Sequence, residues 1–549
     1  MEEFDTIIIG SGVGGLAAAI CLARAGQKVL VLEQHYVPGG WSHSFTLKGQ
    51  RFSPGVHYVG LLEKGRSLHE VYRGLGIAND MVFFRLNTKA YEHCRIGDTT
   101  IDLPAGLDNL KSSLIERFPK EKKNILEYLT LVENVCLELQ LMPTLKGWWQ
   151  KITVPWRTKN FGKFSLFSLK RVIGWHIKDP LLKAVLNIQC GDHGLPPSRA
   201  CFPVHCSVMS HYFDGGYYPM GGGGGIVKAM TNGVKRYGGE VRVKQDVKKI
   251  LIENKKAFGV ELADGSKIFS KSILSNADPS ITYLNLIGKD HLSKGLIKKL
   301  LNTKYSVTSL ILFLTLEMDL SGYDIDSGNI WMVDSEDIDA NFESLMKDDI
   351  TKGESFPAVF ISCTTLKDPV SYNGRYHNFE IVTYVDYDNL KGFGDIEDYH
   401  NEQYRIFKEK VINKLMNNIE RVIPGAKQHI VQAELGTPKT NEFYINSTKG
   451  NVYGTEKTLG QVGPFSYKHK TEIDGLYLCG ASTLSHGVGG ATNSGVAAAA
   501  VILGCTTADL LPENPDQNLR LYDAEDESTW PDWIHVKRND KVRTFREIS

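Results

Sequence analysis

Residues 10–15 read GSGVGG, and their setting restricts the fold of this chain more than any other feature of its sequence. The stretch follows the β-branched run FDTIIIG and precedes LAAAICLARAG, a helix of small residues that ends at Gly26. A second apolar run, KVLVLE, ends in an acid. This strand–turn–helix–strand order is the setting in which G-x-G-x-x-G binds a dinucleotide. We therefore predict a βαβ unit that binds one; an ordinary strand, turn and helix with incidental glycines is the alternative.

Each key residue of the predicted unit has a physical task. Gly10 permits the tight turn, Gly12 lets the backbone approach a pyrophosphate, and Gly15 lets the helix pack close to the strand. The helix N-terminus faces the negative charge of the phosphates. Glu33, at the end of the second strand, is placed to accept hydrogen bonds from both ribose hydroxyls, and its charge disfavours a 2′-phosphate. We therefore expect no NADP at this turn.

The length of 549 residues favours two domains, because single cores stop growing beyond about 250–300 residues. The 63 basic residues balance 63 acidic ones, so net charge indicates neither nucleic acid nor an acidic substrate. No apolar run reaches the length of a membrane span, and because a strand begins at Phe4 we expect no signal or transit peptide. Nine scattered cysteines without a C-x-x-C pair are typical of structural thiols in a reducing cytoplasm, so we expect a cytoplasmic protein.

A second strand, glycine-rich turn and helix lie near the C-terminus, in GLYLCGASTLSHGVGGATNSGVAAAAVILG. Because the two dinucleotide-like segments lie at opposite ends of the chain, we predict an α/β fold with a discontinuous cofactor domain and an α+β insertion domain for the substrate. The predicted segments are 1–64, 212–290 and 430–511 for the cofactor domain, 65–211 and 291–429 for the substrate-binding domain, and 512–549 for a C-terminal extension.

A glycine pair follows Glu33 in VPGGWSHSF, an extension that an NAD dehydrogenase does not need. With this pair, GLYLCGAS and EVRVKQDVKKI, the chain resembles flavoproteins of the glutathione-reductase type 2 group, which implies an FAD-binding Rossmann domain. In that group a helix N-terminus near the flavin stabilises the anionic reduced ring, and a strand residue, here Val247, lies beside the adenine. The resemblance implies that FAD is held by Gly10, Gly12, Val13, Gly14, Gly15, Glu33, Gln34, Gly39, Gly40, Ser42, Val56, His57, Val247, Asn276, Gly480, Ala481, Val488 and Ala491.

Five further motifs restrict the resemblance to one family of flavoproteins. They are PGVHYVG (54–60), SHYFDGGYYPMGG (210–222), SNADP (275–279), TNEFYINSTKGNVYG (440–454) and HGVGGATNSG (486–495). Together they resemble the carotenoid desaturase, carotenoid isomerase and retinol saturase flavoproteins from about residue 4 to 505, with the retinol saturases most similar. One departure is Ala481, where many relatives have an aspartate that holds the ribityl chain of FAD. The resemblance implies a hydrophobic polyene or isoprenoid substrate.

Five glycines at 221–225 precede a predicted helix and indicate either a second phosphate cradle or a loop that approaches the flavin closely. The resemblance favours the loop, and no second G-x-G-x-x-G unit opens a βαβ. We therefore expect no tightly held NADPH and an external electron donor or acceptor.

Residues 144–178 contain eight Lys or Arg, no acid, and seven Trp or Phe. Basic residues interleaved with Trp are typical of a segment on an anionic bilayer surface. Single-stranded nucleic acid and a solvated basic face above buried aromatics are the alternatives. Because the implied substrates dissolve in lipid, we predict peripheral membrane attachment through this segment and no nucleic-acid partner.

The implied chemistry moves a hydride between flavin N5 and one carbon of a C=C bond while a proton moves at its neighbour. The residues of the matched motifs that can handle this proton are His57, Tyr58, His211, Tyr212, Tyr444 and His486. We predict His57 and Tyr212 as the catalytic residues and no metal site. We predict a saturase that reduces one double bond; an isomerase using reduced FAD is the first alternative and a desaturase the second, because the same arrangement suits all three. A prenyl-lipid carrier, as the Rab GDP-dissociation inhibitors of this fold are, is the non-enzymatic alternative.

Overall fold

The computed structural model describes residues 3–141, 153–154, 156–347, 349–390 and 401–548. Its strands are β1 (Glu3–Ile9), β2 (Val29–Leu32), β3 (Phe45–Leu47), β4 (Gln50–Phe52), β5 (Val82–Arg85), β6 (Glu92–Ile96), β7 (Thr99–Leu103), β8 (Tyr217–Pro219), β9 (Glu240–Arg242), β10 (Val247–Glu253), β11 (Lys256–Leu262), β12 (Lys267–Ser275), β13 (Thr308–Leu316), β14 (Asn329–Val333), β15 (Ala358–Cys363), β16 (His377–Val385), β17 (Ile430–Gly436), β18 (Leu476–Leu478) and β19 (Arg520–Asp523).

The described helices are distributed along the chain. They are α1 (Val13–Arg24), α2 (Ser67–Gly74), α3 (Leu107–Arg117), α4 (Lys122–Leu141), α5 (Lys159–Phe164), α6 (Leu169–His176), α7 (Pro180–Asn187), α8 (Phe202–His211), α9 (Gly223–Arg236), α10 (Lys294–Asn302), α11 (Ile338–Lys347), α12 (Thr364–Lys367), α13 (Glu402–Glu420), α14 (Pro438–Ile445), α15 (Gly487–Leu503) and α16 (Asp532–Ile548). Six of the described helices, α3 to α8, follow one another between β7 and β8.

The first sheet contains the predicted dinucleotide unit. Its strand order is β10–β11–β12–β1–β2–β9, and β18 also pairs with β12. The strand β1 is central and parallel to both neighbours, with Thr6 in register with Ser272 and with Val29. Strands covered on both faces read as continuous apolar runs, as β1 and β2 do. The helix α1 packs on this sheet against α15 and α9. The predicted α/β fold with a Rossmann-type domain is confirmed.

The second sheet has the strand order β17–β13–β16–β15–β14–β6–β7. Its pairs are antiparallel except β14 with β6. Side chains alternate across β13: Ile311 and Phe313 join the core formed with α4 to α8, and Leu312 and Leu314 join the core formed with α13. One face of this sheet therefore looks towards the helices of the first half of the chain and towards the cofactor domain.

Three separate parts of the chain, residues 3–32, 240–275 and 476–478, contribute strands to the first sheet. The strand β17 lies in the predicted segment 430–511 but pairs with β13 in the second sheet. The domain boundaries themselves stay a prediction.

The C-terminal extension adds a strand and a helix to the body. The strand β19 pairs in parallel with β5, and α16 follows it. Trp530, in the WPDW stretch, is buried with Phe84, Val370 and Ile534. The extension is therefore an integral layer of the described fold.

Candidate active site

The turn between β1 and α1 ends in a helix N-terminus with room for an anion. Gly12 precedes α1, no side chain caps the helix, and its first turn contains no acid. The first N–H groups of a helix lack partners within it and present a partial positive charge. A Cβ on Gly12 would lie 2.6 Å from Nδ2 of Asn276, so glycine keeps this approach open. A diphosphate fits this position.

Three other glycines hold the turn together. Gly10 has a φ of +92°, a region that favours glycine, and a Cβ on Gly15 would lie 2.3 Å from the carbonyl oxygen of Gly10. Gly14 faces α15, where a Cβ would lie 2.9 Å from the carbonyl oxygen of Ala491. These close approaches explain why glycine occupies the three positions.

Glu33 follows β2 and directs its buried carboxylate at the turn. Its Oε2 accepts hydrogen bonds from the N–H of Ser11 at 3.0 Å and from the hydroxyl of Ser11 at 2.6 Å. Its Oε1 accepts the N–H of His35 at 2.9 Å. An ionised carboxylate has about four acceptor positions, so ribose hydroxyls fit beside these partners.

A second helix N-terminus faces the same cleft. The helix α15 begins at Gly487 after His486, without a side-chain cap and without an acid in its first turn. Gly480, just past β18, has a φ of +95° and lies close to the Asn276 side chain. Two uncapped helix ends on one cleft suit a cofactor that is negative both at its diphosphate and at its reduced ring.

The cleft between these elements has about 1430 Å³ of empty space. Three predicted cofactor residues do not line it: Gly15 packs under the turn, Val56 is buried near Gly223, and His57 faces the second sheet. The predicted residues that line it are Gly10, Gly12, Val13, Gly14, Glu33, Gln34, Gly39, Gly40, Ser42, Val247, Asn276, Gly480, Ala481, Val488 and Ala491.

Asp278 also lines this cleft and was not singled out as a site residue. Its Oδ2 accepts hydrogen bonds from the N–H of Thr448 at 2.8 Å and from Nδ2 of Asn451 at 2.7 Å. Burial raises the pKa of the Asp278 carboxyl. The contact joins SNADP to TNEFYINSTKGNVYG, two motifs that are far apart in the sequence.

The five-glycine stretch differs from the turn at 10–15 because protein groups occupy its N–H donors. Gly221 donates to Asp368 at 2.7 Å, Gly223 to the hydroxyl of Ser53 at 3.0 Å, and Gly224 to the hydroxyl of Ser44 at 2.8 Å. These contacts support the interpretation of the stretch as a close-approach loop.

His57, predicted as catalytic, is oriented by a buried carboxylate. Its Nδ1 lies 2.9 Å from Oε2 of Glu380, on β16 of the second sheet. The backbone oxygen of His57 accepts a hydrogen bond at 2.9 Å from Nζ of Lys367, which also donates to Ser362 at 2.7 Å. Burial lowers the pKa of Lys367 to about 8, although Glu92 and Glu380 oppose the shift.

Tyr212, the other predicted catalytic residue, belongs to a stacked tyrosine pair. Its ring lies 4.1 Å from that of Tyr58, with 11° between the planes. The Tyr58 hydroxyl donates to Oδ2 of Asp192 at 2.7 Å. Burial raises the pKa of Asp192 to about 7, and burial together with Asp192 raises the pKa of neighbouring Glu92 to about 8. The structure thus places two buried acids beside the loop 54–60.

The remaining candidates are less suited to give a proton at neutral pH. Nε2 of His211 accepts the N–H of Gly60 at 2.8 Å, and burial lowers the pKa of His211 to about 4. Nε2 of His486 lies 2.9 Å from the carbonyl oxygen of Asp192, and burial lowers the pKa of His486 to about 3. Both imidazoles are therefore neutral at pH 7.

Tyr444 stands where the cleft meets an adjoining groove of about 1050 Å³. The groove runs along the second sheet, and Trp41, His43 and Tyr444 line both spaces. Its other apolar lining residues are Phe45, Leu47, Pro54, Ile311, Phe313, Leu435 and Ile445. An elongated apolar molecule fits a groove of this composition.

The basic, aromatic segment 144–178 is described at 153–154 and 156–178; residues 144–152 and 155 lie outside the described part. Trp156, Leu166 and Trp175 are 73%, 75% and 53% exposed, so three large apolar side chains stand at the surface. The Arg171 guanidinium lies 5.8 Å from the ring centre of Trp175. Within the described residues, no helix combines the length and apolar character needed to cross a bilayer.

The structure also gathers Cys190, His193 and His205, with one ligand-type atom of each within 4.8 Å of the others. Nε2 of His193 and Nδ1 of His205 lie 3.3 Å apart, and Nε2 of His205 lies 3.0 Å from the carbonyl oxygen of Leu186. These hydrogen bonds account for both ring nitrogens of His205 and for Nε2 of His193.

Residues 8–75 match the family model of the NAD(P)-binding Rossmann-like domain. The chain is 27% identical over 526 residues to an all-trans-retinol 13,14-reductase of Danio rerio, with 91% of this chain and 86% of the relative covered. It is 29% identical over 497 residues to prolycopene isomerase 1, chloroplastic, of an Oncidium hybrid cultivar, with 88% and 80% covered. The resemblance predicted from the motifs is confirmed.

Solved structures extend the likeness to the whole fold. The wild-type putrescine oxidase bound to putrescine has a TM-score of 0.60 and 14% sequence identity, with 91% of this chain and 99% of that chain covered. Since the related chains are enzymes, the prediction of an enzyme of the oxidoreductase class is confirmed.

Proposed function

We propose that this chain is an FAD-dependent oxidoreductase that acts on a C=C bond of a conjugated isoprenoid and reduces it as a saturase does. The observation that carries the proposal is the continuity of the dinucleotide cleft with the apolar groove at Trp41, His43 and Tyr444. A flavin at the inner end of the cleft would meet an elongated hydrocarbon in the groove. The likeness to retinol reductase and prolycopene isomerase sequences supports this class of substrate.

The chain's own residues account for binding of FAD. The N–H groups at the start of α1 would hold the diphosphate, Glu33 the adenosine ribose, and Val247 the adenine. The start of α15 would face the flavin ring. When bound, FAD exchanges a hydride at N5 with the substrate carbon.

The residues around the loop 54–60 would supply orientation and a proton. His57, held by Glu380, and Tyr212, stacked on Tyr58, lie on this loop or beside it. The aromatic and aliphatic lining of the groove would exclude water from the reacting carbons. A positioned acid typically contributes about 10²–10⁴-fold to the rate.

An isomerase is the second candidate, because the chain is also similar to prolycopene isomerases. In an isomerase the hydride is added and removed with no net redox change, whereas a desaturase runs in the opposite direction from a saturase. An anaerobic single turnover separates the three. The FAD-loaded protein is reduced chemically, all-trans-retinol or a short carotenoid is added, and the product is weighed by mass spectrometry.

The mass and the chromatographic retention of the product distinguish the three reactions. A gain of two hydrogens with flavin reoxidation is the result expected for a saturase. Unchanged mass with altered chromatographic retention would make the protein an isomerase. Loss of two hydrogens by a more saturated polyene added to the oxidised protein would make it a desaturase.

The colour of the purified protein tests the alternative that the chain is a non-catalytic prenyl-lipid carrier. The cradle formed by Gly12, Gly15 and Glu33 supports flavin binding, for which a carrier has no need. Purified protein with flavin absorption is the expected result, and a colourless protein that takes up no FAD would favour the carrier.

The proposal also includes two partners, a membrane surface and an external electron donor. We propose peripheral attachment to an anionic membrane through Trp156, Leu166 and Trp175 and their basic neighbours, which would give a lipid-dissolved substrate a short path to the enzyme. We also propose an external electron donor, which is supported by the protein acceptors that the N–H groups of Gly221, Gly223 and Gly224 already have.

A further inference from the structure

Asp192 lies where three parts of the chain meet. It belongs to the 3₁₀ turn Ile188–His193, and its Oδ2 accepts the Tyr58 hydroxyl at 2.7 Å. Its carbonyl oxygen lies 2.9 Å from Nε2 of His486, the residue that precedes α15. One residue therefore joins the second half of the loop 54–60 to the helix end at the cofactor cleft.

Glu92, on β6, is a second carboxylate in this buried region. It is fully buried, and within the described residues no hydrogen bond of ordinary geometry reaches its oxygens, although Tyr58 and Gln189 lie close enough to oppose the rise of its pKa. An ionised carboxylate without a partner is costly to bury, so the protonated form is favoured. A negative charge on Asp192 further favours the protonated form of Glu92.

We propose that Asp192 and Tyr58 form a buried proton-supply site, in which Tyr58 passes a proton from the Asp192 carboxyl to the substrate carbon next to the one that receives the hydride. The inference rests on the proposed function and deepens it by assigning the source of the proton. Tyr212, stacked on Tyr58, holds the phenol ring in place. Asp192 acts through Tyr58: it supplies the proton to Tyr58 and positions the Tyr58 hydroxyl.

The proposed step balances. The first carbon of the C=C bond would receive a hydride, two electrons and one proton, from the reduced cofactor, and the π bond would break as this C–H bond forms. For this step the protonated Asp192 carboxyl donates to the Tyr58 oxygen, the reverse of the bond in which Tyr58 donates to the carboxylate. The Tyr58 O–H bond then breaks as its proton forms a C–H bond with the second carbon, and the Asp192 proton moves to the Tyr58 oxygen. The oxidised cofactor and an Asp192 carboxylate remain, and solvent protonates the carboxylate before the next cycle.

The surroundings of Asp192 shift its pKa in opposite directions. Burial favours the protonated Asp192 carboxyl, and Asp192 in turn raises the pKa of Glu92, which the positive charge of Lys367 opposes. The hydrogen bond from Tyr58 favours the carboxylate, and burial, opposed by this bond, leaves the pKa of Asp192 at about 7. The other titratable neighbours of Asp192 are uncharged at pH 7 and are Tyr91, Tyr212, Tyr384, Tyr453, Cys190 and His486.

The first test measures flavin reoxidation by the polyene in the FAD-loaded variants Asp192→Asn and Tyr58→Phe. We expect each to lose about 10²-fold in rate while flavin absorption stays unchanged, and the double variant to be no slower than either alone. Tyr72→Phe removes a buried hydroxyl that has no hydrogen-bond partner in the described part of the chain, and it is the matched control. In the wild type the rate should fall as pH rises through about 7, and Asp192→Asn should abolish this dependence. An Asp192→Asn protein that keeps the wild-type rate and pH profile would overturn the inference.

The second test needs no substrate, so it separates the failure of this inference from the failure of the proposed function. Infrared spectra of the FAD-loaded protein are recorded between pH 5 and pH 9. We expect a protonated-carboxyl band that titrates near pH 7, is absent from Asp192→Asn and is retained in Glu92→Gln. Absence of such a band in the wild type, or its persistence in Asp192→Asn, would overturn the proton-supply site even if turnover with polyenes succeeds. A band with this behaviour and no turnover would leave the buried acid in place and reject the polyene reaction.

Discussion

Nδ1 of His57 lies 2.9 Å from Oε2 of Glu380, a fully buried carboxylate on a strand 323 residues further along the chain. The other oxygen of the same carboxylate accepts the N–H of Ser53 at 2.5 Å. One acid on the second sheet therefore fixes both ends of the segment 53–57 that borders the cofactor cleft. A carboxylate that holds an imidazole in one orientation is a common device for setting the tautomer of a functional histidine.

Glu380→Gln keeps the size of this side chain and removes its charge. The amide oxygen accepts from one of the two donors, and the amide nitrogen faces the other, so either Ser53 or His57 loses its partner. We expect turnover to fall by about tenfold or more and stability to fall by about 1–3 kcal/mol, the cost of a lost buried hydrogen bond. Glu121→Gln is the control, because its carboxylate also accepts backbone N–H groups, those of Lys178 and Asp179, at a site away from His57. If turnover and the flavin spectrum are both unchanged in Glu380→Gln, the orientation of His57 by Glu380 does not contribute to the reaction.

Two glycine substitutions should separate cofactor binding from folding. A Cβ on Gly12 meets only the side-chain amide of Asn276, whereas a Cβ on Gly15 meets the backbone oxygen of Gly10 at 2.3 Å. We therefore expect Gly12→Ala to lose FAD while it keeps its apoprotein Tm, and Gly15→Ala to lower the apoprotein Tm by several degrees. Gly162→Ala adds a methyl group in open space and should change neither. Retention of bound flavin by Gly12→Ala would show that the approach at α1 is not the phosphate site.

The cofactor domain was the most predictable part of this protein. The turn at 10–15, the acid at 33 and the glycine at 480 lie next to the strands that position them, so the local sequence contains most of the geometry. The resemblance supplied residues such as Asn276 and Val488, which lie far from the first unit and line the same cleft in the structure. The pairing of β17 with the second sheet was not predictable, because an apolar strand does not reveal which sheet it joins.

The buried acids Asp192, Glu92 and Glu380 were not predicted. Each comes from a different strand or turn, and their contacts with Tyr58 and His57 depend on how the second sheet packs on the cofactor domain. The sequence did contain a clue at one position. Glu380 interrupts the apolar strand NFEIVTYV, and an acid at a buried strand position requires a partner. Such an acid identifies a polar contact, but its partner follows only from the tertiary structure.

The three exposed apolar residues of the basic segment should govern binding to anionic vesicles. Serine substitutions at Trp156, Leu166 and Trp175 remove the side chains that would enter the interface. We expect each to weaken partition by about tenfold, since burial of one large apolar side chain is worth about 1.5–3 kcal/mol. Flotation with anionic vesicles measures the effect, and raised salt should weaken binding by screening the neighbouring Lys and Arg. Phe443→Ser and Phe465→Ser, at exposed positions elsewhere, are matched controls. Equal flotation of all five variants would remove this segment from the membrane contact.

His93 should make the stability of the second sheet depend on pH. Its Nδ1 lies 2.8 Å from Asp102 on the adjacent strand β7, and its Nε2 lies 3.0 Å from Asp326 in the loop before β14. Burial alone would lower the pKa of His93, but hydrogen bonds to the two carboxylates raise it to about 10. Because this pKa lies above the unfolded value of about 6.5, the stabilisation is complete below about pH 6.5 and is lost as pH rises through about 10.

His93→Gln should therefore lower the Tm by about 3 °C or more at pH 6, and the difference from the wild type should shrink towards pH 10. Thermal melts at pH 6, 8 and 10 measure it, with His429→Gln, at an exposed position, as the control. A wild-type advantage that stays constant over this range would mean that the ring stabilises the sheet by its shape and not by its charge.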